Sequence, residues 1–593
     1  MSTHEDRLNA LRAQLARQSL DGFVVPLTDE HLSEYVGAYA QRLSWLTGFL
    51  GSAGSAVVLP AEAAIFVDGR YTLQVRDQVD GAHWQYQSVP QTSVAAWLGE
   101  HAPAGGRIGY DPWLHTRRWV EDATRALAKQ GAPLVAVERN PVDAVWADRP
   151  EPSKARLIPH EERHAGQSSA AKRADIIDWM RGEDIDATVL TALDSIAWTF
   201  NIRGADVTHT PVALAYALLH ADGKAELFVD PAKIDAEVRA HLGNAVTIRD
   251  RNAFTAALAD LAGRTVAVDP ERAVAAIFEA LDKAGATIRA VRDPAVLPKA
   301  TKNETEIAGH KAAQARDGAA MAKFLHWLWV EGPQGGQTEI SASNRLQAFR
   351  AETGALVDLS FDTISGSGPN GAIVHYKASE ATNRPVESGT LLLVDSGGQY
   401  KDGTTDITRT MAIGTPTAEM RHRFTLVLKG HIALACARFP AGTRGSQLDA
   451  LARQFLWAEG LDYAHGTGHG VGSFLSVHEG PQRIATQGGG DEPLQPGMIL
   501  SNEPGYYKTG EYGIRIENLV LVVESGTGEN ERPWYAFETL SHTPIDRALI
   551  EVEALTSAER DWVDAYHART LEIVGPQLEG ENRAWLEAAC KPL

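Results

Sequence analysis

The segment Leu391–Ile413 carries two aspartates where the surrounding sequence predicts buried strands. Asp395 ends the first apolar run, and Asp406 begins the second. A turn centred near Tyr400 and Lys401 would pair the runs antiparallel and set the two carboxylates opposite each other. Two like charges about 5 Å apart repel. Two interpretations follow from this segment alone: a cation shared by both carboxylates, or one aspartate that caps the turn and another on a solvated face.

Three further residues that could bind a metal follow in the same part of the chain. His469 lies in the glycine-rich segment 465–470, where glycines allow the backbone and an imidazole to approach a site closely. Glu503 ends an apolar run at a Pro-Gly turn, and Glu517 alternates with apolar residues along 514–520. A phosphate-binding loop is disfavoured because no Lys-Ser or Lys-Thr pair follows. For Glu517 alone, a surface ladder of arginine and glutamate explains the pattern equally well.

Four carboxylates and one imidazole thus lie at predicted strand ends and glycine-rich loops: Asp395, Asp406, His469, Glu503 and Glu517. Oxygen ligands with a single histidine suit Mn²⁺, Co²⁺ or Zn²⁺. Four negative charges would balance two divalent ions, which favours two metals about 3.5–4 Å apart. The set therefore predicts a dinuclear centre bridged by carboxylates and a hydroxide.

Six motifs around these residues resemble those of the pita-bread metallopeptidases: VDSG, TDITRT, HGTGHGVG, VHEGP, NEPGYY and GIRIEN. With the two domains before them, they resemble the long, cytosolic type of aminopeptidase P, the Xaa-Pro aminopeptidases of peptidase family M24. The resemblance covers essentially the whole chain. It implies an α/β (α+β) fold in which two creatinase-like α/β domains precede a pita-bread catalytic domain.

The same resemblance implies a role for each site residue. Asp395 would bind one metal, while Asp406 and Glu517 would bridge both. His469 and Glu503 would bind the second metal. Arg515 would hold a ligand carboxylate in place. Three histidines would line the substrate site: His375, His465 and His478. Manganese is the implied metal, with zinc and cobalt as alternatives.

The implied activity is release of the N-terminal residue from peptides with proline in the second position. The metals would lower the pKa of a bridging water, Glu503 would take its proton, and His478 or His465 would help to stabilise the oxyanion. Prolidase-type dipeptidases and methionine aminopeptidases share the ligand set, but they usually lack two leading domains. A metal-free pita-bread binding or chaperone module is a further alternative, against which the complete ligand set argues.

The elements that would position this site form three predicted domains, at residues 1–150, 151–301 and 302–593. The first two resemble each other, because the order of helices and strands recurs after about 160 residues. A second boundary is predicted near 291–303, where prolines precede a strong helix start. Beyond it, long amphipathic helices are predicted over 304–330, 338–351, 416–438 and 446–459, and they alternate with strand pairs.

Composition excludes several functional classes. With 593 residues the chain is too long for one core, and its net charge of −20 lacks the basic footprint of a nucleic-acid binder. Two distant cysteines fit a reducing compartment. The polar N-terminal helix is no signal peptide, and no apolar run would span a bilayer. We therefore expect a cytoplasmic protein that binds peptides, not nucleic acid or membrane, and the family resemblance implies a homodimer.

Three smaller features complete the sequence. Residues 160–164 match the zinc-protease pattern H-E-x-x-H, but the flanking residues lack an apolar face and favour a solvated linker. The segment Gln487–Asp491 is interpreted as a mobile loop near the site. A capping box at Thr556–Glu559 predicts the start of a C-terminal helix.

Overall fold

The computed structural model describes residues 3–486 and 492–593, so the predicted loop Gln487–Asp491 lies outside the described residues. The chain forms two compact units, one of residues 1–161 with 167–296 and one of residues 162–166 with 297–593. Within the described residues, no helix has the length and hydropathy needed to cross a membrane. The predicted domain boundaries at 150 and 301 stay predictions.

The first unit contains two six-stranded sheets with the same strand order. The first sheet runs in the order Gln85–Ser88, Ala63–Val67, Ser55–Val58, Gly22–Pro26, Ile108–Tyr110 and Leu134–Ala136. The second runs in the order Val246–Arg249, Ala225–Phe228, Tyr216–His220, Ala187–Leu190, Thr265–Val268 and Thr287–Ala290. Corresponding neighbours also pair in the same sense, parallel or antiparallel. The predicted internal repeat is therefore confirmed in the fold.

The central strands of this unit are apolar throughout because helices cover both faces of each sheet. Along Gly22–Pro26, Phe23 packs in one core with Leu8 of the first helix, whereas Val24 packs in a second core with Trp97. The longer helices of the unit are His4–Arg17, Val94–His101, Arg117–Leu127, Ser169–Gly182, Leu193–Phe200, Ala236–Leu242 and Ala275–Ala284. The shorter helices are Arg42–Thr47, Gln74–Gln78, Pro141–Val145 and Phe254–Ala259.

The described part of the second unit consists of several antiparallel sheets and six main helices. Its largest sheet has the order Arg438–Pro440, Pro533–Thr539, Asn518–Thr527, Ile499–Asn502, Gly468–Gly470 and Glu479–Ile484. Two three-stranded sheets contain Ile364–Ser367, Thr390–Ser396 and Ile407–Ile413, and Leu356–Leu359, Gly398–Tyr400 and Gly403–Thr404. The strands Gly505–Lys508 and Tyr512–Arg515 form a separate pair. The main helices are Glu304–Glu331, Glu339–Ala351, Ala418–Ala435, Asp449–Trp457, Ser557–Val574 and Gly580–Ala589.

Local sequence explains where two of these helices begin. Asn303 and Glu306 form a capping box at the first, and Thr556 and Glu559 form the predicted box at the C-terminal helix. The predicted helices over 416–438 and 446–459 are shorter than expected. The first becomes Ala418–Ala435, and the second begins only after a 3₁₀ turn.

The H-E-x-x-H match does not form a helix that could present both histidines to one metal. The helix there, Glu162–Ala165, is one turn long and begins after His160. The prediction of a fully solvated linker is wrong for His160, which is buried, with its backbone N–H donating to the carbonyl of Asn201.

Candidate metal centre

The two aspartates of the opening segment lie near each other, but not in opposite positions of a strand pair. Asp395 pairs with Thr408, because the chain turns at Lys401 and Asp402, one residue later than predicted. Asp406 directly precedes the strand Ile407–Ile413, two residues before Thr408. Burial raises the pKa of the Asp395 carboxyl and the charge of Asp406 raises it further, so the two carboxylates interact.

His469 is the central residue of the strand Gly468–Gly470. The backbone here approaches its neighbour so closely that a β-carbon on Gly468 would lie 2.0 Å from the carbonyl oxygen of Ser501. Nδ1 of His469 donates to the carbonyl of Gly470 at 2.9 Å. This bond fixes the neutral tautomer, which leaves Nε2 as a lone-pair donor for a metal.

The two glutamates stand at interruptions of strands. Glu503 follows the strand Ile499–Asn502, and its backbone N–H donates to the carbonyl of Thr467. The prediction of one strand through 514–520 is wrong. The chain forms two strands there, Tyr512–Arg515 and Asn518–Thr527, and Ile516 and Glu517 lie between them. Glu517 thereby turns inward, where it is 1% exposed.

These elements bring three predicted ligands together. Asp406, His469 and Glu517 each offer a ligand atom, and these atoms all lie within 4.8 Å of one another. Nε2 of His469 is 3.4 Å from Asp406 Oδ2 and 3.5 Å from Glu503 Oε1, which brings a fourth residue to the group. Asp395, the fifth, is joined to Glu517 through Arg515 and Thr408.

Electrostatics at this centre favour a cation. The pKa values of the Asp395, Glu503 and Glu517 carboxyls are all raised, first because burial disfavours the charged form, with further repulsion from neighbouring carboxylates. Burial alone would lower the pKa of His469, but Asp406 and Glu503 raise it to about 9. A divalent ion would relieve both the repulsion and the cost of burial.

The donor set also fits two hard or borderline divalent ions. Oδ1 of Asp395 and Oε1 of Glu517 are buried and have no hydrogen-bond partner among the described residues. Orphaned buried oxygens are costly unless a cation binds them. The other oxygens are already oriented, because Arg515 donates to Asp395 Oδ2 at 2.6 Å and Thr408 donates to Glu517 Oε2 at 2.8 Å.

A tyrosine that the sequence did not single out connects two of the predicted residues. Nη1 of Arg515 donates to Tyr507 Oη at 2.6 Å, and the same oxygen lies 2.8 Å from Nε2 of His465. His465 uses Nδ1 to donate to the carbonyl of Gly466, so Nε2 of its neutral form accepts from Tyr507. Burial raises the pKa of Tyr507 to about 12. The motif NEPGYY contains two tyrosines, and only the tertiary contacts select the second.

The loop that carries His465 and His469 is positioned by the buried ion pair of Arg453 and Asp449. Arg453 donates to Asp449 at 2.6 Å and to the carbonyl of His465 at 2.7 Å. Asp449 also accepts a bond from Thr467. Because both partners lie on the helix Asp449–Trp457, that helix sets the position of the loop.

The remaining predicted histidines occupy different places. The His478 ring is 4.3 Å from the His469 ring, centroid to centroid, so it borders the metal ligands. His375 lies half-buried in a turn after the 3₁₀ helix Gly368–Ala372. The individual roles of His375, His465, His478 and Arg515 stay predictions.

Comparison with known proteins agrees with this geometry. Residues 308–524 match the model of "Metallopeptidase family M24", and 533–593 match "C-terminal region of peptidase_M24". Residues 7–140 and 148–306 each match a "Creatinase/Prolidase N-terminal domain". A "Probable Xaa-Pro aminopeptidase P" from Laccaria bicolor is 41% identical, covering 99% of this chain and 93% of that protein. The chain belongs to the aminopeptidase P family.

Other members of the aminopeptidase P family are similarly close. A "Probable Xaa-Pro aminopeptidase P" from Neosartorya fischeri is 40% identical over 99% of this chain and 92% of its own length. The crystal structure of an X-prolyl aminopeptidase from Caenorhabditis elegans, described as a cytosolic enzyme with a di-nuclear active site, has a TM-score of 0.95. It covers 100% of both chains at 34% identity.

The prolidase alternative is less similar. An Xaa-Pro dipeptidase from Bacillus anthracis covers 64% of this chain and 99% of its own, at 24% identity and a TM-score of 0.52. This likeness shows a shared fold alone, whereas the aminopeptidase P family matches the chain from end to end.

Proposed function

We propose that this protein is a metal-dependent aminopeptidase that releases the N-terminal residue from peptides with proline in the second position. The observation that carries the proposal is the convergence of ligand atoms from Asp406, His469 and Glu517 within 4.8 Å. The substrate class is supported by the similarity of the chain, over nearly its full length, to Xaa-Pro aminopeptidases.

The centre would hold two divalent ions. Asp395 would be a ligand of one ion, His469 and Glu503 of the other, and Asp406 and Glu517 would be shared between them. Manganese is the proposed metal, with zinc and cobalt as alternatives, because all three accept carboxylate and imidazole ligands. When bound, the ions supply Lewis acidity that lowers the pKa of water toward neutrality.

The side chains then act on protons and on the carbonyl of the substrate. Glu503 accepts the proton of the attacking water, and the position of its Oε1, 3.5 Å from Nε2 of His469, supports this role because it places the carboxylate at the centre. Of the two candidate histidines, His478 donates to the developing oxyanion, a contribution of about 3 kcal/mol for a well-placed donor. Both ring nitrogens of His465 already bond to Gly466 and Tyr507, so His465 lines the site without donating to the oxyanion.

Specificity for proline requires a particular kind of recognition. An Xaa-Pro bond lacks the amide N–H that other peptidases can bind. The enzyme must therefore recognise the shape of the proline ring in an apolar pocket and capture the free α-amine.

We also propose the larger organisation of the enzyme. Domains at 1–150, 151–301 and 302–593 are supported by the spans of the creatinase and peptidase matches. A cytoplasmic homodimer is proposed from the family resemblance.

One assay tests the proposal against its alternatives. The protein is stripped with a chelator and reloaded with Mn²⁺, and turnover is measured on an Xaa-Pro-Yaa tripeptide, an Xaa-Pro dipeptide and a Met-Ala-Yaa tripeptide. We expect metal-dependent cleavage of the first substrate only, with two ions per chain by metal analysis. Preferred cleavage of the dipeptide would indicate a prolidase, and absence of metal binding would indicate a binding module.

A further inference from the structure

Two lysines and a glutamate form a buried charged cluster in the second unit. Nζ of Lys299 is 2.7 Å from Glu479 Oε2, and Nζ of Lys302 is 2.5 Å from Glu479 Oε1. All three side chains are 1% exposed. Lysine is almost never so deeply buried without a reason, because the ammonium loses its hydration.

Glu479 is close to both His478 and His469 through its backbone. It directly follows His478 in the chain, and in the sheet it pairs with Gly470, which directly follows His469. His478 is the last residue before the strand Glu479–Ile484, so the buried Glu479 carboxylate fixes the backbone at the point where His478 enters the strand. The His478 ring contacts that of His469 edge-on, with the ring centroids 4.3 Å apart.

The lysines are themselves fixed to another part of the site. The backbone N–H of Lys302 donates to the carbonyl of Gly497 at 2.9 Å, and Thr301 forms a bridge with Met498. Gly497 and Met498 directly precede the strand Ile499–Asn502, and Glu503 directly follows that strand. Nζ of Lys302 also donates to the carbonyl of Lys299, which fixes the two side chains relative to each other.

We propose that Lys299, Lys302 and Glu479 form a positioning clamp that keeps the His478 ring in contact with the His469 ring. The clamp also connects these two histidines to the strand that precedes Glu503. This inference rests on the proposed aminopeptidase function. The three residues do not touch substrate; they act through His478. The strength of the clamp comes from burial, because a charge-assisted bond in a water-free environment resists displacement more than a surface pair does.

Lys302→Met is the first test, because it removes one ammonium and keeps a long apolar side chain. We expect kcat to fall about 10- to 100-fold, the usual loss when a partner behind an active-site ligand is removed. KM should change little, because a misplaced His478 weakens the transition state more than substrate binding. Glu479→Gln, which preserves shape and can still accept hydrogen bonds, should show a smaller loss in the same direction.

Lys233→Met is the matched control. Lys233 and Asp206 form a similarly buried lysine–carboxylate pair in the first unit, with side chains 3% and 0% exposed. We expect it to lower the melting temperature without changing kcat per folded, metal-loaded molecule. If Lys302→Met and Glu479→Gln behave like this control, the clamp is only structural and the proposal is wrong.

A crystal structure of the Lys302→Met protein gives a readout independent of activity. We expect the ring centroids of His469 and His478 to separate beyond 4.3 Å relative to the wild type. An unchanged separation would overturn the inference even if activity falls. If the wild type cleaves no Xaa-Pro-Yaa peptide, the proposed function fails, while the ring separation still decides whether the clamp exists. If Lys302→Met does not fold, Glu479→Gln carries both measurements.

Discussion

Each compact unit buries a cluster of acidic residues, and the two units compensate the charge differently. In the first unit, Glu30 accepts bonds from Arg251 at 2.6 Å and from Tyr39 at 2.9 Å. In the second unit, Asp395, Asp406, Glu503 and Glu517 meet with one arginine and one histidine. The first cluster carries its own counterion, whereas the second leaves negative charge that a bound cation must balance.

The pKa values show the same contrast. Burial works against the charged form of both Glu30 and Glu517. For Glu30, Arg251 and His31 outweigh burial and lower the pKa to about 2. For Glu517, the neighbouring aspartates add to burial, and the pKa is raised well above its ordinary value. Glu30, which a neighbouring cation neutralises, thus belongs to a structural contact, whereas Glu517, which neighbouring acids destabilise, is a candidate ligand.

Removing a ligand should have the largest effect. We expect Asp406→Ala to lower turnover by well over the roughly 100-fold that loss of an outer partner costs. The metal-free protein should keep its stability, because the change relieves repulsion in the second cluster. Peptide assays and thermal unfolding in chelator check both parts. Retention of most activity by this variant would contradict the metal centre.

Removing the counterion of the first cluster should instead affect stability. Arg251→Met leaves Glu30 buried without its cation, which should cost about 3 kcal/mol, near the lower end for broken buried pairs because Arg251 is 24% exposed. Chemical denaturation measures the loss. Activity per folded molecule should match the wild type, and a large drop in kcat would show that the first cluster also serves catalysis.

Metal addition should stabilise only the second unit. At a Mn²⁺ concentration one hundred times the dissociation constant, linkage predicts about 2.7 kcal/mol of added stability. Hydrogen exchange followed separately in the two units measures it, with Asp406→Ala as the control that should not respond. Equal protection of both units would mean that the effect is not site-specific.

The contributions of Glu30 and Glu517 to stability should depend on pH with opposite signs when metal is absent. Glu30 has a folded pKa below its ordinary 4.5, so its contribution is present above that pH and is lost as the pH falls toward 2. Glu517 has a raised folded pKa, so the second unit loses stability as the pH rises from 4.5 toward that value. Each unit of pKa shift corresponds to about 1.4 kcal/mol.

Local unfolding across the acid and neutral range tests this difference. Glu517→Gln should flatten the dependence of the second unit, and bound Mn²⁺ should reverse it. Changes of the same sign in the pH dependence on Glu30→Gln and Glu517→Gln would contradict the contrast between the two residues.

The amino-acid sequence by itself determined the elements and the candidate ligands. Short apolar runs and helical spacing predicted strands and helices of the first unit, and their recurring order predicted the duplication, because buried elements require apolar residues. The five candidate ligands were singled out because charged residues at the ends of apolar strands, beside glycines, need a partner to be buried.

Only the tertiary structure decided how these residues meet. The turn at Lys401 and Asp402 changed the partner of Asp395 by two residues, since a shift of one residue in a turn centre moves every partner in the register by two. The break before Asn518, the choice of Tyr507, and the lysines behind Glu479 depend on contacts between segments distant in sequence. Such contacts leave no local periodicity, so the positions of the site residues follow from packing.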